Sequence, residues 1–372
     1  MNSRLPLQWL IIFVFLLTGC WDQRLLKDHS LILSGGYDKL TDGRIKHTVT
    51  YPITTGQKEA FPEKSIVVSV IGQTARDANV RMDKRIAEKF DASKSDIFIF
   101  GEELAKGGIY SALDTTYRTL RGPLNARVAV VKGEAFDALS LQPEDTPLIT
   151  DYYSELLRSA EQGGISRNHN VRAVGSLILS EGKDFMVPYL KVMTEENRAD
   201  VEGLAMFSDD KLTGKLGIKE STMYIILADQ KKKNLSLTIK VNNDKKNHDK
   251  NYVNVDILKI KRKLEVNENK GEIAANIHLD VTLGITEYAT DQLYEKKEIE
   301  KLNKKIQREL NKLATTTINK MQGANCDALG IGERVKAYHN QTWKVLDWEK
   351  VYPEIPIEIQ FKSAIINHGI TN

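Results

Sequence analysis

The residue with the most specific chemistry in this sequence is Cys20. It follows Leu17-Thr18-Gly19, behind an apolar stretch from Leu7 to Leu17 that contains Trp9, and Arg4 is the only early charge. A cysteine thiolate is a nucleophile, and here it can take a diacylglyceryl group as a thioether. Thr18 and Gly19 are small enough to pass extended through a processing site. A positive start, an apolar stretch of roughly 7–15 residues and small residues before the cut make up a secretory signal. Residues 1–19 are therefore expected to be a lipoprotein signal peptide, cleaved between Gly19 and Cys20. The stretch is shorter than the ~20 apolar residues a spanning helix needs, and polar sequence follows at once, which argues against an uncleaved anchor or a buried helix. Two acyl chains such as palmitate hold a protein to a bilayer durably where one does not. The mature chain is expected to sit on a membrane without crossing it.

The other chemically capable residues lack partners. Cys326 is the only remaining cysteine, in Gly323-Ala324-Asn325-Cys326-Asp327 with no histidine beside it, so neither a disulfide nor a nucleophilic role is expected. The seven histidines, His29, His47, His169, His248, His278, His339 and His368, include no pair at the three- or four-residue spacing of a helix-borne metal site. No metal and no cofactor are expected. There is no Gly-x-Ser-x-Gly elbow and no phosphate loop. Glu102-Glu103 and Asp209-Asp210 fall where helices or turns begin, and negative charge there suits the positive end of a helix dipole. Lys231-Lys232-Lys233 reads as a solvated turn. With no catalytic constellation, the chain reads as a non-enzyme. Its net charge of +3 drops to +2 once Arg4 is removed with the signal, too little to argue for nucleic acid.

The elements around these residues read as α+β. An apolar run at Val67–Ile71 precedes a helix with Ala78, Met82, Ile86 and Phe90 at four-residue spacing. Then come a strand at Asp96–Phe100, a helix over about Glu102–Leu120 broken at Gly107-Gly108, a strand at Arg127–Val131 and a short helix at Glu134–Leu139. A helix around Thr150–Glu161 leads to Ser166–Asn170, a surface loop by composition. This order favours mixed sheets covered by helices. The polar stretch Glu195–Asp200 marks the main boundary, dividing the chain into 1–19, 20–199 and 200–372. Beyond it the apolar period becomes two, over Leu235–Val241, Ile273–Leu283 and Ile355–Ile365, as in an antiparallel-rich sheet with one wet face. Between Val253 and Val266 the apolar phase slips by one residue, which predicts a bulge. Asn242–Asn251 reads as the loop of a hairpin. Gln292–Met321 is the longest helical pattern, with Leu302, Ile306, Leu310, Leu313 and Thr317 on one stripe. It would span roughly 45 Å and cross a face of that sheet.

Cys20-Trp21-Asp22 and the strand-like Ser30–Tyr37 resemble the start of the Ger(x)C family of spore germination lipoproteins. The likeness continues through Ile99-Phe100-Gly101-Glu102-Glu103-Leu104-Ala105-Lys106-Gly107-Gly108-Ile109, Leu113-Asp114, Arg118 and Val130–Ala135. It extends to Glu202–Phe207, Asp210–Leu216, Asp327–Gly332, Trp343, Trp348 and the last strand ending at Gly369. The resemblance implies an elongated, multi-domain α+β fold, with two intertwined domains in 21–199 and a third in 200–372. It implies the C subunit of a nutrient germinant receptor, non-enzymatic, held by lipid on the outer face of the inner spore (cytoplasmic) membrane beside two integral membrane subunits. Whether this subunit binds the germinant itself stays open. The alternatives are a solute-binding lipoprotein that captures a nutrient in a polar-lined cleft, and a surface hydrolase, for which the acid, base or metal set is missing.

Overall fold

The computed structural model describes residues 29–52, 64–230, 235–290 and 293–367. Gly19, Cys20, the Lys231-Lys232-Lys233 run and His368 lie outside the described residues. In chain order the elements of the first part are β1 (His29–Leu31), β2 (Ser34–Lys39), β3 (Ile45–Pro52), β4 (Ser65–Gly72), α1 (Ala75–Asp83), β5 (Lys89–Asp91), β6 (Ile97–Gly101), α2 (Glu102–Gly107), α3 (Tyr110–Tyr117), β7 (Arg127–Lys132), α4 (Ala135–Leu139), α5 (Ile149–Gln162), α6 (Val171–Ile178) and β8 (Met186–Met193). They continue with β9 (Arg198–Ser208), β10 (Lys211–Gly217), α7 (Ile218–Leu227), β11 (Ser236–Lys240), β12 (Tyr252–Asn269), β13 (Glu272–Glu287), α8 (Lys296–Gly323), α9 (Ile331–Tyr338), α10 (Asn340–Trp343), α11 (Trp348–Val351) and β14 (Ile357–Asn367).

An eight-stranded sheet runs in the order β10-β9-β8-β7-β6-β2-β3-β4. Its centre, β2 to β8, is parallel, and antiparallel hairpins flank it on both sides. A parallel centre must be covered on both faces, which explains why β6 and β7 are nearly continuous apolar runs. Phe98, Phe100, Val128 and Val130 pack under α2, α3 and α6. Ile97, Ile99, Ala129 and Val131 face the other way, onto α4 and α5. The sheet also runs through the polar stretch near residue 197, because β9 pairs with β8 directly across it.

The second sheet has the order β11-β12-β13-β14, antiparallel except for the parallel β13–β14 pair. The phase slip in β12 is the expected bulge: pairing with β13 shifts between Ile257 and Lys259, leaving Leu258 as the extra residue. Helix α8, 28 residues long, buries Leu302, Ile306, Leu310, Ala314, Thr317, Ile318 and Met321. Between the sheets lies α7, whose residues from Ser221 to Leu227 are all buried, the run Met223–Leu227 being apolar on every side. Residues of β8, β9 and β10 share one core cluster with the second sheet and α8.

Three local expectations need correction. Helix α1 stops at Asp83, so Ile86 and Phe90 are not helical, although all four apolar residues pack into one cluster. The stop is local: Lys84 N–H turns back to Arg81 O, and Asp83 accepts from Phe90 N–H. The loop Ser166–Asn170 exposes Arg167 and Asn168 but buries Ser166 and His169, because its end lies against the sheet, with Val128 N–H donating to His169 O and His169 Nδ1 2.7 Å from Met186 O. The long helix starts at Lys296, after a turn at Leu293–Glu295, and Gln292 lies outside the described residues.

Strand β14 is an edge, and exposed edges invite unwanted pairing. Helix α8 covers it with a polar ladder at four-residue spacing: Asn303 Nδ2 donates to Ser363 O (2.8 Å), Gln307 Nε2 donates to Phe361 O (2.7 Å), and Asn311 Oδ1 accepts from Phe361 N–H. Replacing Asn303 and Gln307 together by Leu removes three side-chain hydrogen bonds to β14, the third being from Ser363 Oγ to Asn303 Oδ1, and is expected to lower urea stability by about 1–3 kcal/mol. Lys304→Leu, on the exposed side of α8, should leave it unchanged.

Candidate functional site

The chemically capable residues are dispersed by the fold. His248 is exposed, His278 lies 3.7 Å from Glu265 on the second sheet, and His339 is beside Val266 O. Among the described residues no group of three His, Cys, Asp or Glu side chains is placed to hold a metal ion. Glu102 and Glu103 open α2 and pair with Lys106 on the same helix. Asp209 and Asp210 form the β9–β10 turn, and Asp209 takes a positive φ of 52° there.

The residues the structure brings together are other ones, and they form a seam between the two sheets. Asp184, just before β8, accepts from Asp209 N–H on Oδ1 and from Asp327 N–H (2.7 Å) on Oδ2. Asp327 accepts from Ile331 N–H (2.9 Å) and Gly332 N–H (2.7 Å), two of the donors that the start of α9 leaves without helical partners. Around this pair the chain is knitted by Asp184 N–H to Asp327 O, Glu333 N–H to Gly182 O, Tyr352 O–H to Cys326 O and Tyr224 O–H to Ala328 O. Cys326 is fully buried, its thiol facing Phe185 O, and burial pushes its pKa well up, so it is an inert core residue. Gly332 is needed because a Cβ there would meet the Trp348 indole nitrogen at 2.5 Å and Gly182 Cα at 2.8 Å. Trp343, Trp348 and Tyr352 follow in sequence with ring centroids 5.7 and 5.8 Å apart.

Two further carboxylates act the same way. Asp38, at the end of β2, accepts from Ala135 N–H and Phe136 N–H and so caps α4 across the sheet. Any side chain on Gly101 would run into Asp38 Oδ1, which accounts for the glycine at the strand-to-helix turn. Asp210 accepts from Tyr110 N–H through its carboxylate and from Ile109 N–H through its carbonyl, filling the space beside Gly108, where φ is +111°. The glycine break between α2 and α3 is thus shaped to receive the β9–β10 turn.

Two carboxyls with shifted pKa values suggest acid–base chemistry, and the seam has them. Burial, against the backbone N–H bonds, pushes Asp327 up to about 8 and Asp184 up to about 6. Yet each of their oxygens is already engaged by a backbone N–H, and Asp327 is 1% exposed. The arrangement holds two sheets together: Asp327 is closed off from solvent, while Asp184 is half-buried at the edge of a cleft that Trp343, Trp348 and Tyr352 also line. Sequence reasoning singled out the Asp327–Gly332 run and the tryptophans; Asp184 and Asp38 carry no local signal, since their partners lie 143 and about 97 residues away.

The raised pKa values make the seam sensitive to pH. The folded protein keeps protons that the unfolded chain releases near pH 4, so this stabilisation is complete below about pH 4 and is lost as pH rises through 6 and 8. Urea stability is expected to fall between pH 5 and 8.5. Asp327→Asn, which loses one N–H acceptor, should be about 1–3 kcal/mol less stable at pH 5 and should flatten the decline above pH 6.

Residues 22–192 match the family model described as spore germination protein N-terminal domain, and residues 202–369 match that described as spore germination B3/GerAC like, C-terminal. The chain is similar to spore germination protein GerQC of Bacillus cereus, at 24% identity over 98% of both chains. It is similar to spore germination protein KC of Bacillus subtilis (strain 168), at 22% identity over 98% of this chain and 95% of the other. The crystal structure of the GerBC protein shares the fold, with a TM-score of 0.57 at 16% identity, covering 90% of this chain and 97% of that one.

Proposed function

The chain belongs to the spore germination B3/GerAC-like family, and we propose that it is a lipid-anchored, non-enzymatic subunit of a nutrient germinant receptor. The observation that carries this reading is the family match itself, which runs from residue 22 to residue 369 with a gap of only nine residues. A germination role follows from the family; the anchor, the partners and the membrane face are the finer part of the proposal.

Leu17-Thr18-Gly19-Cys20 supplies the anchoring chemistry, with diacylglyceryl on Cys20 and cleavage after Gly19. No helix among the described residues is long and apolar enough to cross a membrane, so Cys20 is the attachment point this reading relies on. Nine peptide steps separate Cys20 from His29, where β1 begins. A chain of that length reaches at most about 32 Å, so a lipidated Cys20 would keep the folded body close to the bilayer. Confinement there raises its effective concentration beside partners in the same membrane, in this reading two integral receptor subunits on the outer face of the inner spore membrane. The seam supports a role as a coupling body: both family segments are tied into one core, so a force or contact on one sheet is felt at the other.

Cys20→Ala is expected to abolish labelling by radioactive palmitate, move the protein from the membrane to the soluble fraction of disrupted spores, and impair the response to nutrient. A soluble Cys20→Ala protein that still supports a normal response would contradict anchoring as the basis of function.

A further inference from the structure

Away from the seam, on the face of the first sheet covered by α1 and α3, lies a cleft of about 240 Å³. Its floor is aromatic. Tyr37 and His47 stack with centroids 4.3 Å apart and planes 6° from parallel, and Phe90 stands edge-on to His47 at 6.3 Å. His47 is only 2% exposed; the Asn79 side chain interacts with its ring, yet neither ring nitrogen nor Asn79 Oδ1 makes a hydrogen bond of full geometry. A buried polar group left poorly paired is costly, and a ligand group entering between His47 and Asn79 would complete the hydrogen bonding of both. Burial lowers the imidazole pKa to about 3, so the ring is neutral and offers one donor and one acceptor.

Charge at the cleft is not balanced in the same way. Its two carboxylates are already used, Asp83 accepting from Phe90 N–H and Asp91 from Ser93 N–H. Arg76 and Arg121 line the same cleft, are exposed, and take part in no ion pair among the described residues. Guanidinium groups recognise carboxylates in a forked, planar geometry. The volume lies below the roughly 300–1,000 Å³ of drug-sized sites, which limits the ligand to metabolite size.

We propose that this cleft binds a small, flat carboxylic acid, its ring against the aromatic floor, its polar ring substituent hydrogen-bonded to His47 and Asn79, and its carboxylate held by Arg76 and Arg121. The inference stands on the cleft alone and does not depend on the receptor reading. It gives the chain a ligand-binding role that neither its lipid anchor nor its seam supplies.

Calorimetric titration of the full-length lipidated protein in detergent with two probes, 4-hydroxybenzoate and nicotinate, tests it. Saturable binding of at least one probe is expected, weakened about tenfold or more, equivalent to 1.4 kcal/mol, by Arg121→Gln and by His47→Phe, which keeps a flat ring on Tyr37 but removes both nitrogens. The amide of the bound probe, uncharged, should bind at least about tenfold more weakly. Arg121 is exposed and its replacement does not threaten the fold, so the test survives if His47→Phe misfolds. Absence of binding by both probes at about 10 mM, where even a contact worth only 3 kcal/mol begins to register, would overturn the proposal. So would equal affinity for acid and amide, or an undiminished affinity in folded Arg121→Gln.

Discussion

Asp184 and Asp327 are carboxyl groups placed where little water reaches them, and the path of the chain around them follows from the need to satisfy their oxygens. Four backbone N–H groups do so, from Asp209, Asp327, Ile331 and Gly332. Those four come from the β9–β10 turn, the end of α8 and the start of α9, so satisfying two side chains fixes where three elements meet the first sheet. Glycine at 182 and 332 lets these segments approach within a distance that a Cβ would forbid. The tryptophan and tyrosine rings then close over the junction. The same device recurs at Asp38 and Asp210, which cap the short helices α4 and α3 from strands and turns far away in sequence. Helices of five and eight residues do not hold themselves together in water, so these borrowed acceptors are part of what makes them form.

Burial of this kind ties the two family segments into one body. The β9–β10 hairpin belongs by sequence to the second segment and by pairing to the first sheet. Its strands also share a core with α7, α8 and the second sheet. The polar turn near residue 197 is therefore a turn inside a sheet as well as the place where the two family models meet. The halves of the chain are joined through packed side chains and capped helix ends instead of through a flexible linker.

The parts of this fold that were legible in the sequence are those set by nearest neighbours along the chain. Period-two alternation located β11, β13 and β14, a single lost phase located the bulge at Leu258, and the stripe from Leu302 to Thr317 located the buried side of α8. The mixed α+β architecture, with an antiparallel-rich second sheet and one long helix, is present as those patterns imply. What the pattern misread was decided at a distance. Ile86 and Phe90 keep the helical spacing of Ala78 and Met82, but packing against Val49 and Val70 satisfies them as well outside a helix. Ser166–His169 is polar, and Arg167 and Asn168 are exposed as such a stretch predicts, but His169 is buried because the sheet supplies its hydrogen bonds. Asp38, Asp184 and the poorly paired nitrogens of His47 are invisible along the chain, since each owes its significance to neighbours brought near only by folding.

The proposed receptor role requires a body held to one membrane beside integral partners, and detergent extraction of the inner spore membrane followed by affinity purification of this chain tests that most directly. Two integral membrane proteins in fixed proportion to the chain are the result it predicts. Recovery of the lipidated, folded chain by itself, under conditions that keep other membrane complexes intact, would contradict it.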